Sequence, residues 1–329
     1  MGALAVLGAG AWGTAIAVTL AARHEVRLWG RDAAHAHSIE AERRNARYLP
    51  EISLPASIHV TADFGAAIGS AELLIVATPV SGLREVAKRL AAETVMAPLV
   101  WLCKGFEQDT GLLPHQIVAA ELHERYPCAV LSGPSFALEV AQGLPCALTL
   151  ASRQAELARA LSAQLHGPRM RIYHSGDVIG VEIGGAVKNV LALAVGISDG
   201  LGLGQNARAA LITRGLAEIT RLGLALGALP DTLMGLSCAG DLILTATGDL
   251  SRNRRVGLEL ARGRSLDEIV SGLGHVAEGV RSAREVAKLA AQHSVAMPVS
   301  DAVNEVLAGR LSAPQAVEIL LARAAKGEA

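Results

Sequence analysis

Ala3–Leu7 (ALAVL), an apolar run of strand length, leads straight into Gly8-Ala9-Gly10-Ala11-Trp12-Gly13, and a helical stretch, Ala11–Ala22, follows without a break. Few features constrain a fold as tightly. A GxGxxG segment set between a buried strand and a helix has the pattern of a dinucleotide-binding turn. Gly8 permits the tight turn, Gly10 lets backbone approach a pyrophosphate, and Gly13 lets the helix pack closely on the strand. The helix N-terminus then offers N–H groups to the anion. A tight β–α turn with no ligand is the competing reading. A second strand, Glu25–Trp29 (EVRLW), follows the helix and favours the nucleotide site.

The first 22 residues carry no side-chain charge, which invites comparison with a secretory signal. Such a signal needs a basic start and an unbroken apolar run, and here Gly8, Gly10 and Gly13 break it. No other uncharged run is both long and apolar enough to span a bilayer, so no stable membrane insertion is expected. Cys103, Cys128, Cys146 and Cys238 show no CxxC or other metal-ligand spacing. So few cysteines in so long a chain suit a reducing compartment, and a cytoplasmic protein without a metal site is expected.

Lys and Arg total 30 against 31 Asp and Glu, so no global basic field exists to collect nucleic acid or anionic lipid. With 3% aromatic residues, base-stacking platforms and aromatic sugar clefts are not expected either. The 51% hydrophobic and 19% charged composition is that of a folded chain, and a small molecule is its expected partner.

At about 150 residues per domain, 329 residues suggest two. In the front half, short apolar runs alternate with helical patterns. Ala3–Leu7, Glu25–Trp29, Leu73–Thr78, Leu99–Leu102 and Ala129–Leu131 read as buried strands; Ala147–Leu150 and Met170–Tyr173 add two more. Ala11–Ala22, Ser81–Ala92 and Leu112–His123 read as helices between them. Alternation of this kind predicts a parallel sheet covered on both faces, an α/β Rossmann-like doubly wound domain over residues 1–180. From about Asp177 the apolar residues recur at three- and four-residue steps, with Leu211, Ile212, Leu216 and Ile219 marking one face and Val286, Leu289 and Ala290 another. An all-α C-terminal domain is expected over 181–329. Whether its apolar surface includes a homodimer face is left open.

Within this frame the polar residues that can do chemistry gather at a few places. An NAD site usually has Asp or Glu at the end of the second strand. This chain reads Trp29-Gly30-Arg31-Asp32 there. Arg31 can take a 2′-phosphate through a charge-assisted fork, favouring NADP, while Asp32 can cap the next helix or reach a ribose hydroxyl. Lys104-Gly105 and Ser132-Gly133-Pro134-Ser135-Phe136-Ala137 follow two strands at their carboxyl ends, where open α/β sheets place ligands. Lys188-Asn189 lies in an otherwise apolar helix from about Asp177 to Ile197. A lysine there is either snorkelling to water or held at a cleft for a purpose, and pattern alone leaves both readings open. Ser251-Arg252-Asn253-Arg254-Arg255 near a helix start suits a phosphate, with a solvated basic face as the bland alternative.

Taken together, GAGAWGTA at the start, CKG at Cys103–Gly105, SGPSFALE at Ser132–Glu139 and GGAVKNVLA at Gly184–Ala192 resemble a known family. NARAALITRGLAE at Asn206–Glu218, AGDLILT at Ala239–Thr245, SRNRR at Ser251–Arg255 and AEG at Ala277–Gly279 continue the match in order and approximate spacing. The sequence resembles the NAD(P)-dependent sn-glycerol-3-phosphate dehydrogenases of bacterial type, over nearly the whole chain. It departs from the common pattern at Cys103, Ala239 and Ala246, none of which replaces a polar catalytic group.

What the resemblance implies is residue-specific. Lys188 would be the proton acceptor and donor at the substrate hydroxyl, Lys104 would polarise the substrate oxygen and touch the cofactor, and Asp241 would position Lys188. Gly133, Ser135, Asn189 and Thr245 would meet the substrate, with Ser251, Arg252 and Asn253 at its phosphate. Ala11, Trp12, Arg31, Ala137, Arg252, Val276 and Glu278 would join Gly8, Gly10 and Gly13 around NADP(H) or NAD(H), the active site lying in a cleft between the domains. These roles are chemically coherent, because removal of a hydroxyl proton must accompany hydride departure. The implied reaction interconverts sn-glycerol 3-phosphate and dihydroxyacetone phosphate and supplies glycerophospholipid synthesis. Two other readings stand beside it: a hydroxy-acid or opine dehydrogenase of similar build, whose carboxylate Arg252 could bind, and a nucleotide-sensing module without turnover. Lys104, Lys188 and Asp241 together weigh against the sensor.

Overall fold

The computed structural model describes residues 3–123, 126–273 and 277–322. The chain divides into two compact units, Met1–Glu182 and Ile183–Ala329.

The first unit is a Rossmann-like α/β layer structure. Its strands are β1 (Ala3–Leu7), β2 (Val26–Trp29), β3 (Arg44–Asn45), β4 (Leu49–Ser53), β5 (Ile58–Thr61), β6 (Ala71–Val76), β7 (Leu99–Trp101), β8 (Cys128–Ser132), β9 (Cys146–Ala151) and β10 (Met170–Ser175). Its helices are α1 (Ala11–Leu20), α2 (Ala33–Glu42), α3 (Phe64–Ile68), α4 (Val80–Ala91), α5 (Pro114–Leu122), α6 (Ala137–Ala141) and α7 (Ala155–Leu165). Eight strands form one sheet in the order β10-β9-β8-β7-β6-β1-β2-β5.

Successive strand residues face opposite sides, and both sides are apolar. Leu4, Val6, Leu73 and Ile75 join Ile16, Leu20, Ile39 and Leu161 in the core on one face. Ala5, Leu7, Leu74 and Val76 join Ile68, Leu83, Leu90 and Ile117 on the other. This is why the strands read as continuous apolar runs. Because β1 lies between β6 and β2, the crevice beyond the carboxyl ends of β1 and β6 falls at the topological switch point of the sheet, the position where such folds bind ligands.

The sheet departs from the all-parallel expectation at one edge. β8 pairs with β9 antiparallel, Leu131 opposite Leu150, while β9 and β10 are parallel to each other. The connection explains the reversal. Helix α6 has five residues and rises about 8 Å, too little to carry the chain back along a strand of about 20 Å. Strand β9 therefore runs back from where β8 ends. The eleven residues of α7 then make a normal crossover to β10. The short β3–β4 hairpin and β5 are further elements that the apolar runs do not reveal.

Helix α8 (Val178–Gly200) begins in the first unit and carries the chain into the second, which is α-helical with one π-helical stretch and no strand among the described residues. There α9 (Gly204–Ala225), α10 (Pro230–Leu233), the π stretch Leu236–Gly240, α11 (Asp241–Thr247), α12 (Arg252–Ala261), α13 (Leu266–Leu273), α14 (Glu278–Gln292), α15 (Pro298–Leu307) and α16 (Ala313–Leu321) follow one another. At 23 residues α8 is long and apolar enough to cross a membrane by length and composition, although it is not an uncharged run, since it carries Glu182, Lys188 and Asp199. Its most apolar window is 94% buried inside the protein, which makes it the core helix of the fold.

Helices α8 and α12 meet backbone to backbone. A Cβ on Gly196 would lie 2.2 Å from the Arg254 carbonyl oxygen, and one on Gly257 would lie 2.3 Å from that of Leu193. Neither position tolerates a side chain without the helices moving apart.

Helix α9 buries the apolar face read from spacing, most deeply toward its C-terminal half. Leu211, Ile212 and Leu216 are half-buried, and Gly215, Glu218, Ile219, Leu222 and Gly223 on the same face are buried. A carboxylate sits there because it caps α15: Glu218 accepts from the backbone N–H of Val299 at 2.6 Å and of Ser300 at 3.1 Å, and from the Ser300 hydroxyl at 2.9 Å.

Candidate active site

The glycine turn is built as a cradle. Gly8 has φ +130° and lies against the backbone just past β6, so a Cβ there would meet the Ala77 carbonyl carbon and oxygen at 2.9 Å. A Cβ on Gly13 would lie 1.9 Å from the Gly8 carbonyl oxygen, so α1 can approach β1 this closely only with glycine. Gly10, by contrast, would find nothing within 4 Å of an added Cβ. It also stands at the N-cap of α1 without a side-chain cap, ahead of Ala11 and Trp12. Open space over a helix N-terminus is what a pyrophosphate requires, so these residues fit a dinucleotide.

Asn45, which no motif marks, holds this turn from beneath. It is fully buried, and its amide donates to the Ala9 carbonyl at 3.0 Å and to the Thr14 hydroxyl at 2.8 Å. Its own carbonyl pairs with His35 Nε2 at 3.1 Å. A single buried polar residue in a two-residue strand leaves no periodic signal in sequence.

At the end of β2, Asp32 caps α2, accepting from the His35 N–H at 3.2 Å. Arg31 extends into solvent, its side chain 75% exposed and 3.8 Å from Glu85, where a single weak surface ion pair leaves it available to an anion. Ala137 starts α6 and packs with Ala11, Trp12 and Val140 in a small apolar cluster.

Past β7 and β8 the two predicted loops converge. Lys104 Nζ donates to the Gly133 carbonyl at 3.1 Å, and the Ser135 hydroxyl donates to the same oxygen at 3.0 Å. Gly133 has φ +147°, and a Cβ there would press on Ala147 and Leu148 of β9 at 3.1 Å. The antiparallel return of β9 thus shapes the loop that holds Lys104.

In the second unit Lys188 is 7% exposed, which decides against snorkelling. Its ammonium donates to Asp241 Oδ1 at 3.0 Å and to the Thr245 hydroxyl at 2.7 Å, with both partners buried. Asp241 is the first residue of α11 and follows directly on the π stretch. That stretch packs tightly on α8, where a Cβ on Gly184 would lie 2.4 Å from Cys238 Cβ. Burial, helped by the Asp241 charge, pushes the Cys238 thiol up to about 12, so it takes no part as a thiolate.

The next residue on α8 starts a second polar chain. Asn253 donates to Asn189 Oδ1 at 2.9 Å and accepts from the Gly279 N–H at 2.9 Å, while Asn189 donates to Glu278 Oε2 at 3.3 Å. Ser251 caps α12, accepting from the Arg254 N–H at 3.2 Å, which puts Arg252 in the first turn with its side chain in solvent. Of the residues the resemblance implies, Lys104, Gly133 and Ser135 come together in the first unit, and Lys188, Asp241 and Thr245, with Asn189, Asn253 and Glu278, come together in the second. Val276 lies outside the described residues.

Residues 3–158 match the family model for the N-terminus of NAD-dependent glycerol-3-phosphate dehydrogenase, and residues 177–318 match that for its C-terminus. A glycerol-3-phosphate dehydrogenase (NAD(P)+) from Aromatoleum aromaticum is 57% identical over 326 residues, covering 99% of both chains. One of the same name from Cupriavidus taiwanensis is 58% identical over 336 residues, again covering 99% of each. The chain belongs to the NAD-dependent glycerol-3-phosphate dehydrogenase family. The crystal structure of a glycerol-3-phosphate dehydrogenase from Coxiella burnetii superposes with a TM-score of 0.93 at 42% identity, covering 98% of this chain and 99% of that one. Membership makes the chain a nicotinamide-dependent oxidoreductase, in agreement with the cradle at Gly8–Gly13.

Proposed function

We propose that the chain interconverts sn-glycerol 3-phosphate and dihydroxyacetone phosphate with NAD(P)(H), and that it supplies glycerol 3-phosphate to glycerophospholipid synthesis in the cytoplasm. The observation that carries the reading is the buried Lys188–Asp241–Thr245 triangle. An ammonium this far from water needs partners, and a carboxylate and a hydroxyl fix its position to within a hydrogen bond. The nicotinamide ring, when bound, supplies or accepts the hydride. In the reducing direction Lys188 gives its proton to the forming alkoxide; in the oxidising direction it takes the proton from the secondary hydroxyl. Asp241 orients it and keeps its charge tolerable in a dry site. Lys104, held by the Gly133 carbonyl, polarises the same oxygen and stabilises the charge that develops there.

The phosphate belongs to the first turn of α12. Ser251 and Arg252 present a hydroxyl and a guanidinium at a ten-residue helix N-terminus, and the amide of Asn253 beside Asn189 completes a donor-rich patch. Binding energy from that remote group holds the reacting carbon in place. The cradle at Gly8, Gly10 and Gly13 takes the pyrophosphate, with Ala11, Trp12, Arg31, Ala137, Arg252 and Glu278 around the cofactor.

The test is direct. Purified protein given dihydroxyacetone phosphate should oxidise NADPH or NADH, followed by loss of nicotinamide absorbance, with sn-glycerol 3-phosphate as product. A 2-oxo acid should not support oxidation. Oxidation with the 2-oxo acid and none with the phosphorylated ketone would overturn the substrate assignment.

A further inference from the structure

Two residues beyond Arg252, the same helical turn carries a buried ionic contact that the chemistry above does not use. Asp199, near the C-terminus of α8, has a side chain only 7% exposed. Its Oδ2 accepts from Arg254 Nε at 2.8 Å and its Oδ1 from Arg208 Nε of α9 at 2.9 Å. Arg254 also reaches the exposed Asp249 at 3.0 Å, just ahead of the Ser251 cap.

We infer that Asp199 is a positioning residue for the phosphate end of the substrate, an inference that rests on Arg252 and Asn253 receiving that phosphate. The glycine contact between α8 and α12, Gly196 against the Arg254 carbonyl and Gly257 against that of Leu193, sets how close the helices lie. Rotation of α12 is limited on its buried side by those glycines, by Val256 and by the Asn253 bonds to Asn189 and Gly279. The Asp199–Arg254 bond adds the constraint at the half-buried edge, beside the turn that carries Arg252. Helical residues are about 100° apart around the axis, so tying Arg254 to the end of α8 leaves Arg252 about 160° from that contact, on the opposite side. Asn253 falls between them, where it meets Asn189 at 2.9 Å. Arg252 faces solvent while Asn253 is buried, as this rotation requires. Together with those contacts, one buried carboxylate thus holds the direction of the phosphate-binding side chain without touching substrate itself.

Asp199→Asn keeps the shape and removes the charge that draws in both arginines. Its KM for dihydroxyacetone phosphate should rise about tenfold or more, the loss expected when a charge-assisted hydrogen bond is weakened. The inhibition constant of inorganic phosphate should rise in parallel. The rate at saturating substrate should stay within about twofold, the KM for the nicotinamide cofactor should rise less than that for dihydroxyacetone phosphate because Arg252 is only one of several cofactor contacts, and Asp199→Glu should recover part of the loss. An unchanged substrate KM, or an equal rise in cofactor KM, would overturn the inference and leave Asp199 as a helix tie. If Asp199→Asn does not fold, Arg254→Lys, which keeps the charge and loses the Nε donor, is read by the same split. If the wild-type enzyme is itself silent with dihydroxyacetone phosphate, the substrate reading fails instead. Inorganic phosphate binding to wild type and variant by calorimetry then decides the positioning role: weaker binding in the variant supports it and equal binding refutes it.

Discussion

Lys188 and Asp241, more than fifty positions apart in sequence, meet at 3.0 Å in the interior of the helical unit, and Thr245, one turn beyond Asp241 on α11, closes the contact at 2.7 Å. Glycine at position 184 lets the π stretch before α11 come down onto α8, and this close approach is what brings the carboxylate to the ammonium. Sequence, packing and chemistry are therefore joined at one place.

The cradle separates folding from binding within a single turn. Gly10→Val places a side chain where nothing lies within 4 Å, so thermal stability should change little, by about 0.5 kcal/mol. Cofactor affinity should fall about tenfold or more because the side chain occupies the approach of the pyrophosphate. Gly13→Val, directed at the Gly8 carbonyl, should cost several times more stability. Thermal unfolding and fluorescence titration with NADPH check both. Equal stability losses in the two variants would contradict the geometry.

Cofactor preference should turn on Arg31. Its guanidinium is solvent-exposed and, among the described residues, its one ion pair is a 3.8 Å contact to Glu85. Arg31→Asp should lower the NADPH to NADH ratio of kcat/KM about tenfold, the scale of one lost charge-assisted fork. A ratio that does not move would mean that another residue reads the 2′-phosphate.

Much of this was legible from residue pattern, and the misses share a cause. The strand runs, the glycine turn and the periodic helices follow from local hydrophobicity and backbone chemistry, which one sequence carries. The antiparallel return of β9 depends on the length of α6, a five-residue helix too short to leave a period. Glu218 looks like an exposed helical residue until the N-terminus of α15, eighty residues on, is set against it. Asn45 likewise acquires its role only when Ala9 and Thr14 are brought over it. At the site, motif spacing picked out Lys188, but its use was open in sequence because burial of a single lysine depends on a partner from another helix.

Glu218 makes stability depend on pH in a specific direction. Burial raises its pKa above the ordinary 4.5, against the opposing bonds from Val299 and Ser300. A raised carboxyl pKa means the folded chain holds this proton more tightly than the unfolded one. The contribution is complete below pH 4.5 and is lost as pH rises from there through the folded value. Glu218→Gln should remove that slope from a series of urea unfolding curves. It should also lower stability by about 1–3 kcal/mol, since an amide cannot accept all three bonds. An unaltered slope would mean the group does not titrate with folding.

The most direct test of the account is single-turnover reduction of dihydroxyacetone phosphate by enzyme preloaded with NADPH, comparing wild type with Lys188→Ala. Loss of the general acid should slow nicotinamide oxidation about 10²–10⁴-fold while the NADPH dissociation constant stays within about twofold. Oxidation at the wild-type rate by a folded, NADPH-loaded Lys188→Ala enzyme would contradict the assignment of Lys188 as the proton donor.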